Sequence, residues 1–178
     1  MSTPTLTEAP EVGVVSALLE KARRLGLQLP LDLERLAIMR GCDYYARELP
    51  PRVPPLGEVP LSNTELAIAL VVPSLSPAAR EIRLAAALLA APGVQASEVS
   101  ALASQEGCED VIRHIALCGR RFEPENLLWP SLLSRLPDVR FDADRLPHPT
   151  RFVEMTGLDR GKVGVFTRWI RPRQPAAA

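Results

Sequence analysis

Long apolar runs are missing from this chain. The longest, residues 66–73 and 84–92, fall far short of the roughly 18–20 residues that a membrane-spanning helix needs, so both read as core segments and no membrane partner is expected. Residues 1–15 carry neither a basic start nor a continuous apolar stretch, which argues against a secretory signal peptide. Cysteine is scarce as well. Cys42, Cys108 and Cys118 form an odd, sparse set, unlike the even and dense framework of a small secreted scaffold, and point to a reducing, cytoplasmic setting. Net charge is absent: 21 basic and 21 acidic residues cancel, so no global field gathers nucleic acid or an anionic membrane, and such binding has to be local. Lysine is nearly absent too, with Lys21 and Lys162 alone among the basic residues, an arginine excess that a GC-rich coding bias explains without selection for phosphate contacts.

What the chain has in quantity is proline. Its 18 prolines fall between runs of Leu, Ala, Ile and Arg, where proline is tolerated at a helix's first turn or beyond its end. The resulting pieces give an α+β fold, predominantly α: about seven short helices with a C-terminal β-hairpin or three-stranded meander. Residues 1–10 read as a flexible arm. Residues 11–48 form an N-terminal helical hairpin, with helices over 12–25, ended by Gly26, and over 31–49, weakened in its middle by Gly41. Residues 49–60 hold Pro50, Pro51, Pro54, Pro55 and Pro60, which exclude helix and interior strand and mark a connector.

Residues 61–137 form the helical core. Ser62-Asn63-Thr64-Glu65 is a capping box that opens its first helix. Ser76-Pro77 caps a second over 79–91, whose last two turns are apolar on every side and therefore buried. Helices follow over 97–106 and 108–119 with Gly107 between them, and a last one starts at Pro124 and is interrupted by Pro130. The pattern then changes to period two, with strands expected at 139–141, 151–156 and 163–171 in a meander over residues 138–171. Residues 172–178 are a flexible tail.

No catalytic, cofactor or metal signature survives a check of its spacing. Cys108, His114 and Cys118 are zinc-ligating residue types, but Cys108 lies roughly 120° around a helix from His114, leaving two ligands together. Gly157-x-x-x-Gly161-Lys162 has three residues between its glycines and Val163 after its lysine; a phosphate loop requires four and a Ser or Thr. It reads instead as a hairpin turn. An enzyme would have to assemble its site from scattered carboxylates and arginines that no local motif reveals.

Two binding readings remain. The leading one is a non-enzymatic helical module that binds another protein, with Tyr44, Tyr45, Pro51 and Pro54 as contacts; Pro51-Arg52-Val53-Pro54 has the Pro-x-x-Pro spacing of polyproline ligands. The alternative is nucleic-acid binding through a helix-turn-helix-like pair over 97–119, followed by a basic, wing-like hairpin. From Arg151 onward six basic residues face Glu154 and Asp159, a net charge of +4. Arg151, Arg160, Lys162, Arg168 and Arg171 are its candidate phosphate contacts. Against it, the second helix opens with Glu109 and Asp110, where base edges and phosphates would lie.

Overall fold

The computed structural model describes residues 15–42, 59–139, 145–156 and 166–173. Seven α-helices are present among them: α1 (Ala17–Arg24), α2 (Leu31–Met39), α3 (Asn63–Leu70), α4 (Ala79–Leu89), α5 (Ala96–Glu106), α6 (Glu109–Phe122) and α7 (Leu128–Arg135). A 3-10 turn at Pro149–Phe152 leads into an antiparallel pair, β1 (Val153–Thr156) and β2 (Phe166–Trp169). The mostly helical fold with a small sheet is as expected, while several details differ.

No three-stranded meander is seen among the described residues: their sheet has two strands, and Val139 lies outside any strand, while the rest of the expected first strand, residues 140–141, lies outside the described residues. The start of the expected 151–156 strand is a 3-10 turn instead, because Pro147 and Pro149 cannot donate to a ladder and the His148 imidazole accepts the Thr150 N–H at 3.4 Å. Gly41 ends α2 rather than softening it. Its φ of +100° is a left-handed conformation open mainly to glycine. Ala78, not Ser76, caps α4; its N–H is taken by the Glu81 carboxylate at 2.8 Å. Pro130 lies inside the first turn of α7, where a missing N–H costs nothing.

The capping box at α3 forms as read: Ser62 Oγ accepts the Glu65 N–H at 3.0 Å and Glu65 Oε2 accepts the Ser62 N–H at 2.8 Å. That helix buries Leu66, Ala67, Ile68, Ala69 and Leu70, and it packs along α4, which buries every residue from Leu84 to Leu89. Burial on all sides is what the apolar sequence of α4 demands. At the other end of the core, α1 is tied to α5 by a carboxylate: buried Glu106 Oε1 accepts the N–H of Leu18 at 3.0 Å, one of the N-terminal donors of α1 that has no partner within its own helix.

The sheet is held to the helices by aromatic packing. Trp169 is buried, with its ring centroid 5.1 Å from that of Trp129 and 5.4 Å from that of Phe152. Its indole N–H donates to the carbonyl of Ala86 at 3.2 Å. The close approach of α7 to α6 rests on Gly119, where a Cβ would overlap the Trp129 indole. Period two then fixes the outer face: with Trp169 turned inward, its neighbour Arg168 points the other way and is exposed.

Candidate functional site: an arginine cleft

Gly41 and the last described residues meet. The Arg173 N–H donates to the Gly41 carbonyl at 2.8 Å, and a Cβ on Gly41 would overlap the Arg173 backbone. This contact brings residues 171–173 beside the end of α2 and the start of α3. A cleft of about 690 Å³ results, lined by Arg40, Asn63, Glu154, Arg168, Arg171 and Arg173, with the end of α4 as its floor. Four guanidinium groups thus line one concavity with a single carboxylate, that of Glu154.

Each arginine is held differently. Arg40 donates to Asn63 Oδ1 at 3.0 Å and to the carbonyls of Leu61 and Val59. All three acceptors are neutral. Burial pulls its guanidinium below its usual pKa range, opposed by Cys42 and Glu65 nearby, and an arginine stays charged all the same. Arg40 makes no ion pair among the described residues, the nearby Glu65 being paired with Lys21, so an anionic ligand would add a direct partner for a partly desolvated cation. Arg171 is ion-paired with Glu123 at 2.5 Å, and the other oxygen of that carboxylate accepts from Asn126 Nδ2 at 3.2 Å and Trp129 Nε1 at 3.3 Å. Arg173 lies 3.7 Å from Glu154 with its side chain 57% exposed. Arg168, paired with Glu154 across the two strands, is exposed.

Of the five candidate phosphate contacts, Arg168 and Arg171 come together in this cleft. Arg151 lies elsewhere, in a second cleft beside the first turns of α4, and Arg160 and Lys162 lie outside the described residues. So do Tyr44, Tyr45, Pro51 and Pro54. Val59, the first described residue after them, presents its carbonyl to Arg40 at 3.5 Å. Arg173 belongs to the basic cluster of the C-terminal residues, but Arg40 and Asn63 carry no signal in the sequence, because a contact between residues 41 and 173 leaves no local pattern.

Within residues 97–119 two helices, α5 and α6, follow one another with Gly107 between them. α6 is an inner helix: it buries Val111, Ile112, His114, Ile115, Ala116, Cys118 and Gly119 and packs on α5, α7, β2 and the 3-10 turn. Of its basic residues, Arg113 is paired with Asp138 at 2.8 Å, while Arg120 and Arg121 are exposed at its end.

His114 Nε2–H donates to the Pro147 carbonyl at 2.9 Å, and Cys118 Sγ lies 3.8 Å from the same nitrogen. Burial lowers the imidazole pKa against a smaller opposing effect of that carbonyl. It pushes the Cys118 thiol up to about 11 and the Cys108 thiol further. These are protonated thiols, poor nucleophiles at neutral pH. No group of three His, Cys, Asp or Glu side chains among the described residues is placed to hold a metal ion, and no helix among them is long and apolar enough to cross a membrane.

No family model, curated protein or solved structure matches the chain. Any assignment of function therefore rests on the cleft itself.

Proposed function

We propose that the protein is a helical interaction module without catalysis of its own, which holds an acidic segment of another protein in the arginine cleft. What carries this reading is the convergence of Arg40, Arg168, Arg171 and Arg173 on one concavity in a chain with no net charge. Arginine's planar fork suits carboxylate recognition by paired hydrogen bonds. A cleft of about 690 Å³ takes a few acidic side chains and their backbone, whereas a duplex is bound through phosphate contacts spread along its length and an element laid in its groove.

Nucleic acid is the second reading, favoured by the exposure of Arg151 and Arg168. Against it, Phe152, Trp129 and Trp169 are buried and Phe122 is half-buried, which withholds these rings from base stacking, a main source of single-strand affinity.

Fluorescence anisotropy separates the two. A labelled glutamate-rich peptide, duplex DNA, single-stranded DNA and RNA are titrated with the protein at two salt concentrations. The peptide is expected to bind. The double variant R168Q/R173Q is expected to bind it about ten- to a hundredfold more weakly, as for the loss of charge-assisted hydrogen bonds. Equal peptide affinity in the variant would overturn the reading, and tight, steeply salt-dependent binding of nucleic acid with none of peptide would replace it.

A further inference from the structure

The second basic cleft, of about 510 Å³, is lined by Arg80, Glu81, Arg83, His148 and Arg151, with Pro147 at its edge. Arg80 is committed to the buried Glu34 carboxylate at 2.6 Å. Arg151 and His148 are exposed, and His148 uses Nδ1 for its contact with Thr150, leaving its second ring nitrogen toward solvent.

The two clefts lie on one seam. The 3-10 turn Pro149–Phe152 packs on α4; just before it Pro147 and His148 share the second cleft with the first turns of α4, and just after it Glu154 shares the arginine cleft with Ala90–Pro92. Between them Trp169 closes the seam on Ala86. An 11-residue helix at 1.5 Å per residue spaces the clefts about 16 Å apart. Along the outside, Arg151 precedes by three residues Glu154, the cross-strand partner of Arg168, so an arginine stands at each end of this stretch with the Glu154 carboxylate between them.

We propose that the two clefts are halves of one bipartite site for a linear acidic segment carrying two clusters of Asp or Glu. An extended peptide rises about 3.3 Å per residue, so about five residues separate the clusters. Occupying both halves at once turns the second contact into an intramolecular one and raises affinity without new contact types. The inference rests on the acidic-partner reading.

The test uses two labelled synthetic peptides of equal length, one with a single tri-glutamate cluster and one with two such clusters joined by five Gly and Ser residues. Affinities are measured for the wild type, R168Q/R173Q and H148Q/R151Q, the last altering two exposed residues, with melting temperature as the check that the 3-10 turn capped by His148 still folds. The two-cluster peptide is expected to bind the wild type at least about tenfold more tightly than the one-cluster peptide. H148Q/R151Q should abolish that advantage while changing one-cluster binding less than about twofold. If the two-cluster peptide gains nothing, or keeps its gain in H148Q/R151Q, the bipartite site is wrong while the arginine cleft stands. If neither peptide binds the wild type, the acidic-partner reading fails and this inference with it.

Discussion

Trp169→Ala is expected to destabilise the protein by about 3–5 kcal/mol, the cost of emptying a large buried aromatic site. For a domain whose total stability is on the order of 5–15 kcal/mol, that is a large fraction. Three interactions go at once: the stack on Phe152, the tilted contact with Trp129, and the hydrogen bond to the Ala86 carbonyl. Ala86 lies in the last turn of α4, where helix carbonyls commonly take partners from outside the helix, and the indole N–H is a buried donor to it. Trp169→Phe keeps an aromatic ring and loses that bond, and should cost about 1–3 kcal/mol. Urea denaturation followed by far-UV circular dichroism gives both values. Because Arg168 and Arg171 flank Trp169 in the chain, the alanine variant should also lose peptide binding before it unfolds. Equal stability of Trp169→Ala and wild type would mean that the sheet is not docked on α4 as described.

Gly41→Ala is the second large effect, and it acts on the site itself. Alanine at a φ of +100° is strained, at a cost of about 1–3 kcal/mol. Its Cβ would also overlap the Arg173 backbone, so residues 171–173 have to move and the hydrogen bond from Arg173 to Gly41 breaks. The expected result is a loss of about 2 kcal/mol or more, together with weakened acidic-peptide binding, since Arg171 and Arg173 leave their places in the cleft. Gly26 provides the control. Its φ is +81°, and a Cβ there would meet nothing within 4 Å, so Gly26→Ala should cost about 1–2 kcal/mol and leave peptide affinity unchanged. Paired urea denaturation and anisotropy on the two variants read out both quantities. Similar peptide affinities for the two variants would mean that the contact between Gly41 and Arg173 does not shape the cleft.

Local rules made the helices legible and long-range contacts made the site illegible. Ser62 and Glu65 announce the start of α3 because both partners of the capping box lie within four residues, and α4 announces its burial because Leu84 to Leu89 leave no polar face. Gly41 shows the limit: a glycine within an apparently periodic stretch reads as a weak point in one helix, yet its carbonyl and its lack of a Cβ serve a segment about 130 residues away. The same holds for charge. Arg168 and Arg171 stand out because basic residues cluster near the C-terminus, while Arg40 belongs with them only through the fold. The late start of β1 has a local cause: Pro147 and Pro149, with the 3-10 turn they favour, occupy the approach to it.

A nuclear magnetic resonance titration of the arginine side-chain Nε–Hε signals with the glutamate-rich peptide asks where the acidic segment sits. Saturable shifts are expected at Arg40, Arg168, Arg171 and Arg173, with Arg23, Arg24 and Arg135, on other helices, unmoved. Shifts spread evenly over all arginines, or confined to those outside the cleft, would refute the arginine cleft as the binding site.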